Sequence, residues 1–296
     1  MEHKAAFIAI VGSPNVGKST LMNYIVGEKV AIVSSKPQTT RNRIAGILTG
    51  RDFQMIFLDT PGVHSPKNRL GEFMVKTAFD ALRDVDAVLF MCDAKYGLGE
   101  RDRGLLGQLV KGDLPVVAAV NKTDAAARTR STEMAQQVIS AGIDPLNVFQ
   151  ISAKTGEGVD ELMMSLKRYL VPGPRYYPED AYTDQPERMV AAEMIREKAL
   201  NALKEEVPHG IGVSIDSIAR REDKDIIDVS ATIICERPGH KGIIIGKGGK
   251  MLRRIGSEAR KDLEMLFGMK VFLKVWVKVE ENWRDSARVM RSLGYE

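Results

Sequence analysis

The chain has little of what would remove it from the soluble globular class. Of its 296 residues only Cys92 and Cys235 are cysteine, and they lie far apart. Neither a disulfide framework nor a cysteine-based zinc site is supported, and a reducing cytosol fits. No apolar run approaches the length of a membrane span, and Met1-Glu-His-Lys4 leads into a strand-like run without a signal-peptide core. A soluble, cytoplasmic protein is expected. Internal repeats and low-complexity tracts are absent. What remains is an ordinary composition, 44% hydrophobic and 28% charged, over a length that suggests two domains.

The net charge of +4 is unevenly spread. Arg237 to Lys278 carries 11 Lys/Arg against 3 Asp/Glu, a local +8, so the remainder carries 4 − 8 = −4. A basic segment beside a mildly acidic remainder is the footprint of a polyanion site, although such a run by itself is also compatible with a solvated face.

The most specific stretch is Gly12-Ser-Pro-Asn-Val-Gly-Lys-Ser19, which follows the apolar run Ala5 to Val11 and precedes Thr20-Leu-Met-Asn-Tyr-Ile25. Strand, glycine-rich loop and helix match the phosphate-loop pattern G-x-x-x-x-G-K-[ST] at every fixed position. Backbone N–H groups of such a loop turn inward around phosphate oxygens, and the helix N-terminus favours negative charge. Gly12, Ser13, Pro14, Asn15, Val16, Gly17, Lys18, Ser19 and Thr20 are therefore the candidate phosphate cradle. Lys18 is expected on the β- and γ-phosphates and Ser19 on Mg²⁺.

Downstream, the polar stretch Ser34 to Arg43 sits where a nucleotide switch places a threonine over Mg²⁺ and the γ-phosphate. Thr40 is the candidate, with Thr39 as competitor. Two strand-like runs, 44–49 and 54–58, flank a hairpin turn at Gly50-Arg-Asp52 and predict a mixed sheet. The second run ends in Asp59-Thr-Pro-Gly62, where Asp59 is placed to hold Mg²⁺ through water and the Gly62 N–H to approach the γ-phosphate. Val63 follows in place of the glutamine that orients water in Ras-like GTPases, and a valine cannot make a hydrogen bond. His64, next to it, is read as an exposed loop residue rather than a base.

Helical spacing over 68–83, buried-strand runs at 86–93 and 115–120, and a helix over 99–111 give the β-α-β rhythm of a doubly wound domain. The second strand ends in Asn121-Lys-Thr-Asp124. The Asp124 carboxylate can accept from guanine N1–H and the exocyclic amine, a pairing adenine does not offer. Lys122 is expected along the base plane, and Asn121 tied to the phosphate loop. The run 148–151 ends in Ser152-Ala153-Lys154, whose backbone N–H groups can meet guanine O6. At this point the chain resembles the translation-factor-like GTPases. That resemblance implies potassium-assisted hydrolysis through Asn15, which would join Lys18, Thr40 and Gly62 in the catalytic set.

A helix over 157–170 closes domain 1–171. The stretch 172–186, rich in proline, reads as an extended linker. Beyond it, a helix over 187–206, strands near 211–221 and 226–236, a helix to Phe267 and a strand over 270–279 make up domain 187–280. A helical tail, 281–296, follows, with Trp283 and Met290 as packing residues. Gly246-Lys247-Gly248-Gly249 matches the GXXG loop of KH domains, which clamps about four nucleotides of a single strand. Lys247, Lys250, Arg253 and Arg254 supply positive charge beside it. The expected fold is an α/β P-loop NTPase domain, with a mostly parallel sheet and helices on both faces, followed by an α+β type II KH domain.

Taken over its whole length, including Gln38-Thr-Thr-Arg41, Asp59 to Val63, Ile243 to Gly249 and Asn282-Trp-Arg284, the chain resembles the bacterial Era GTPases. These are TrmE-Era-EngA-type GTPases with a C-terminal KH domain. The resemblance implies a GTP-hydrolysing, RNA-binding assembly factor of the small ribosomal subunit that binds GTP/GDP and Mg²⁺. Its KH domain would hold the 3′ end of the small-subunit ribosomal RNA. A monomer is expected; some members of the family associate with the inner face of the membrane, a point on which this sequence is silent. The competing expectation is an RNA-binding scaffold whose nucleotide site is structural and turns over negligibly.

Overall fold

The computed structural model describes residues 2–34, 36, 39–62, 65–204 and 207–295. Gln38, Val63 and His64 lie outside the described residues. The chain forms two compact units: the first holds residues 1–31, 40–65 and 74–184, and the second holds 32–39, 66–73 and 185–296.

In the first unit, β1 (Lys4–Val11) lies inside a sheet with β2 (Ile44–Thr49), β3 (Phe53–Asp59), β4 (Ala87–Asp93), β5 (Val116–Asn121) and β6 (Val148–Ile151). The order is β2-β3-β1-β4-β5-β6, parallel except for β2, which returns antiparallel to β3 through the expected hairpin. Residues in a strand alternate between faces, so Ile8 and Ile10 enter one core while Ala9 and Val11 enter the other. The first core receives α1 (Lys18–Val26) and α5 (Val159–Leu166), and the second α3 (Glu100–Lys111) and α4 (Arg128–Ser140). β4 is buried along its whole length, as a strand covered on both faces must be. The helix α2 (Arg69–Asp80) follows the Asp59-Thr-Pro-Gly62 turn. Every described strand of this parallel core points its carboxyl end toward the same edge, where the motif residues collect.

The stretch 172–186, expected as an extended, stiff linker, is extended but bonded to the first unit rather than lying between the units. Val171–Pro172 forms β7, pairing antiparallel with β1, and Thr183 bridges to Gly46. The Ile47 N–H donates to the Tyr182 carbonyl at 2.9 Å, and the Ala45 N–H to Asp184 Oδ1 at 3.1 Å. Prolines forbid a helix here but leave enough donors and acceptors to edge a sheet. The stretch is therefore part of the first unit as far as Asp184.

The second unit has α6 (Glu187–Ala202), β8 (Gly212–Arg220), β9 (Ile226–Cys235), α7 (Pro238–Ile245), α8 (Lys250–Phe267), β10 (Lys270–Val279) and α9 (Ala287–Ser292). The sheet order is β10-β9-β8, with β9 and β10 parallel and β8 antiparallel. One sheet face, including Val229, Ala231 and Ile233, packs against Ile195 and Ala199 of α6 and Ile255, Ala259 and Leu263 of α8. The helix α7 is an element beyond the expected helix-strand-strand-helix-strand order; Pro238 occupies its first turn, where the missing N–H costs nothing. The first helix ends at Ala202, short of the expected Glu206, because Leu203 turns extended. Trp283 is fully buried and its indole N–H donates to the Gly210 carbonyl at 2.9 Å. Among the described residues no helix is long and apolar enough to cross a membrane.

Candidate nucleotide site and nucleic-acid interface

The phosphate loop leaves β1 at Gly12 and enters α1 through Gly17, whose φ of 105° is a left-handed cap. A Cβ there would also stand 2.2 Å from Asn121 Nδ2, so glycine is required on both counts. The Lys18 Nζ donates to the Gly12 and Ser13 carbonyls at 3.2 Å each, which folds the loop around its own ammonium. Burial pushes the Lys18 pKa down, opposed by the Asp59 and Asp102 carboxylates. The sequence reading missed Asp102: on α3, buried, it accepts the Ser13 hydroxyl at 2.6 Å. No local pattern marks a partner 89 positions away.

Three oxygen-bearing side chains converge at the head of α1. The Ser19 hydroxyl donates to Asp59 Oδ2 at 2.6 Å, and Thr40 Oγ1 lies 2.9 Å from Ser19 Oγ and 3.3 Å from Asp59 Oδ2. Asp59 is buried, which pushes its pKa up against the pull of Lys18 and its hydroxyl partners, and among the described residues its Oδ1 has no hydrogen-bond partner. A buried, unpartnered carboxylate oxygen beside two hydroxyls is a donor set suited to a hard divalent cation. Thr39 faces elsewhere, since its hydroxyl donates to the Lys36 carbonyl at 2.6 Å. Asn23 fixes the start of the same loop, its Oδ1 accepting from the N–H of Val30 and Ala31 and its Nδ2 donating to the Ala31 carbonyl.

Gly62 lies against the phosphate loop: a Cβ on it would be 2.7 Å from Pro14 N, a backbone atom that cannot step aside. The Thr60 hydroxyl anchors this turn to the Ile10 carbonyl at 2.8 Å. Asn15 is exposed and holds a φ of 63°.

At the other end of the site, Asn121 joins three segments. Its Nδ2 donates to the Val16 carbonyl at 2.7 Å and its Oδ1 accepts the Ala153 N–H at 2.9 Å. The Ala153 amide thus donates to Asn121, and the Ser152 amide to the Glu157 carbonyl at 2.9 Å. Lys122 reaches back to the Asn15 carbonyl and to Asp93 Oδ2, each at 2.7 Å; Asp93 had no assigned part in the sequence reading. Asp124 Oδ1 accepts the Ser152 hydroxyl at 2.7 Å, which orients the carboxylate. Asn121, Lys122 and Asp124 thus bond to the phosphate loop, to Asp93 and to the turn at 152–153, all within the first unit.

In the second unit, Gly246, Gly248 and Gly249 all have positive φ, which only glycine adopts freely, between the end of α7 and the start of α8. A groove of about 510 Å³ runs from Gly249 along α8, past Arg253, Gly256, Ser257 and Arg260, to Phe272 on β10. Of the predicted basic residues, Arg253 lines it, whereas Arg254 pairs with Glu258 one turn along at 2.9 Å. Ser257, Arg260 and Phe272 share this groove only because α8 packs beside β10, a placement that no local pattern in the sequence announces.

A parallel-cored phosphate-loop domain with an N-K-x-D base site, joined to a GXXG-bearing α-β-β-α-α-β unit, defines a GTPase with a KH domain. Comparison with known proteins agrees. Residues 7–122 match the family described as 50S ribosome-binding GTPase, and residues 206–284 match the KH domain family. GTPase Era of Alkaliphilus oremlandii is 49% identical over 296 residues, covering all of both chains, and that of Caldicellulosiruptor saccharolyticus is 50% identical, covering 98% of its length. The chain belongs to the Era family of GTPases. Two solved Era structures match over 99% of both chains, each at 39% identity and a TM-score of 0.94. One holds MgGDPNP and nucleotides 1506–1542 of 16S ribosomal RNA, and the other is a variant of Aquifex aeolicus Era bound to GDP·AlF4⁻.

Proposed function

We propose that this protein is a GTP-hydrolysing, RNA-binding switch that acts in small ribosomal subunit assembly by holding the 3′ end of the small-subunit ribosomal RNA. The observation that carries this reading is the meeting of Ser19, Thr40 and Asp59, in which a loop threonine completes a donor set begun by the phosphate loop. Ser19 and Thr40 would hold Mg²⁺ directly and Asp59 through water. Bound there, Mg²⁺ bridges phosphate oxygens and offsets the charge that develops on them during transfer.

The chain's own residues do the rest. Gly12 to Thr20 wrap the phosphates, Lys18 carries the fixed positive charge, and the Gly62 N–H meets the γ-phosphate. Asp124 accepts from the guanine edge, the Lys154 amide donates to its O6, and Asn121, Lys122, Ser152 and Ala153 hold that frame. Asn15 would help to hold a potassium ion, which would supply part of what a valine at position 63 cannot. Gly246 to Gly249 clamp the RNA backbone, with Lys247, Lys250, Arg253 and Arg254 as its counter-charges.

Multiple-turnover phosphate release, measured in potassium and in sodium with and without RNA, tests the reading. Turnover that rises with potassium and responds to RNA is expected; no stimulated turnover in any condition leaves a scaffold with a structural nucleotide site. Asp124→Asn is expected to move preference from guanine toward xanthine nucleotide.

A further inference from the structure

Val33, Ser34 and Thr39 belong to the second unit and bond to its helix α6. On α6, Glu197 Oε1 accepts the Val33 N–H at 2.8 Å, Asn201 Oδ1 accepts the Ser34 hydroxyl at 2.8 Å, and the Arg196 guanidinium donates to the Thr39 carbonyl. Arg196 is fully buried, and its Nε donates to Glu193 Oε1 at 2.8 Å. Glu197 has a second partner. Its Oε2 receives Lys198 Nζ at 3.1 Å, and the same ammonium reaches Asp262 Oδ2 at 2.6 Å on α8, the helix that begins at the GXXG loop.

This is an expensive way to hold two helices and a loop together. Arg196, Glu197 and Asp262 are all buried, and apolar side chains of similar volume stabilise such a contact at least as well as buried ion pairs. What an ionic network adds is direction: each bond fixes one named atom of the loop. The Thr39 carbonyl belongs to the peptide that leads into Thr40, so its orientation sets where the Thr40 hydroxyl points.

We infer that Arg196 is a positioning residue for GTP hydrolysis, holding the Thr39 carbonyl so that Thr40 Oγ1 is aimed at Ser19 and Asp59. Glu197, through Lys198 and Asp262, extends the same hold to α8, so occupancy of the GXXG groove and closure of the loop act on a single helix. The inference rests on the nucleotide-switch reading above. By linkage, whatever RNA binding does to loop closure, loop closure does to RNA binding in equal measure.

The test uses full-length protein and an RNA corresponding to nucleotides 1506–1542 of 16S ribosomal RNA, the segment held by the solved relative. Arg196→Gln is expected to bind GDP within about threefold of wild type while needing about tenfold more Mg²⁺ for half-maximal turnover, and Arg196→Lys to recover part of that loss. Glu197→Gln keeps an acceptor for the Val33 N–H but loses the charge that holds Lys198, and Asp262→Asn loses it from the other side. Both are expected to keep basal turnover within about twofold and to lose more than about two-thirds of the RNA-dependent change. A folded Arg196→Gln with wild-type Mg²⁺ dependence overturns the positioning role, and an undiminished RNA response in Glu197→Gln and Asp262→Asn overturns the link to α8. If Arg196→Gln fails to melt cooperatively, Arg196→Lys decides the first point, an unchanged Mg²⁺ dependence overturning it. Wild-type protein that neither hydrolyses GTP nor responds to RNA fails the switch reading itself, a result distinct from either.

Discussion

Thr40 Oγ1 lies 2.9 Å from Ser19 Oγ, and both hydroxyls share Asp59 Oδ2. Residues that are 21 and 19 positions apart along the chain thus meet at one carboxylate, at the end of β3 and the head of α1. The neighbour, Thr39, spends its hydroxyl on the Lys36 carbonyl. Two adjacent threonines that are equivalent in sequence are therefore inequivalent in chemistry.

Thr40→Val, which removes the hydroxyl and keeps the branch, is expected to lower GTP turnover by about 10²-fold or more, as loss of a transition-state contact does. GDP affinity should stay within about threefold, since on the proposed reading Thr40 acts on Mg²⁺ together with the γ-phosphate, which GDP lacks. Thr39→Val loses one hydrogen bond in the loop and is expected to cost less than about tenfold in turnover. Phosphate release and GDP titration on both variants check the pair, and equal losses would remove the distinction between them.

Gly62→Ala addresses the approach of the Asp59-Thr-Pro-Gly62 turn to the phosphate loop. The added methyl would stand 2.7 Å from Pro14 N and 2.8 Å from Pro14 Cα. Backbone on both sides must then part, which moves the Gly62 N–H away from the phosphates. Turnover is expected to fall about tenfold or more while GDP still binds, because a small misplacement near the reacting group costs rate before affinity. Steady-state kinetics beside GDP affinity is the measurement, and wild-type turnover would show that the turn does not act through this amide.

Asn121→Ala removes the joint between the phosphate loop and the base-recognition turn. It leaves the Val16 carbonyl and the Ala153 N–H without the partners seen here. With about 1–3 kcal/mol for each of the two buried groups left unpaired, a loss of about 2–6 kcal/mol in unfolding free energy is expected. Guanidinium unfolding of the nucleotide-free protein reads this directly. The same variant should bind GDP far more weakly, since the freed segments carry both ends of the site.

How far the sequence anticipated this depends on the range of the interaction. The phosphate loop and Asn121-Lys-Thr-Asp124 were legible because backbone geometry demands fixed residues at fixed spacing, and such patterns survive without knowledge of neighbours. Thr39 and Thr40 could not be separated, because their difference is a matter of which carbonyl or carboxylate stands opposite. Asp102 and Asp93 escaped notice for the same reason. The helix α7 was lost to its own punctuation, since Pro238, Gly239 and Gly242 suggest a loop when proline in fact opens the helix. The stretch after Leu170 failed differently. Its prolines correctly exclude a helix, but nothing local announces that a strand edge and a buried glutamine will receive it.

That glutamine allows the last expectation to be stated sharply. Gln54 on β3 is fully buried, and its amide makes four bonds: Nε2 donates to Thr49 Oγ1 and the Tyr177 carbonyl at 3.0 and 3.1 Å, and Oε1 accepts the N–H groups of Tyr176 and Tyr177 at 3.0 Å each. One side chain thus fastens the chain after β7 to the first unit. Gln54→Leu fills the space but answers none of these groups, and is expected to cost about 2–4 kcal/mol in unfolding free energy, the penalty of several partly buried polar groups losing their partner. The local consequence is more diagnostic than the global one. Limited proteolysis should cut between Gly173 and Asp184 in the variant at protease concentrations that leave wild type intact, because cleavage needs a segment that opens. A free linker would be cut equally in both proteins, so equal cutting would show that the bonds around Gln54 do not hold the segment in solution.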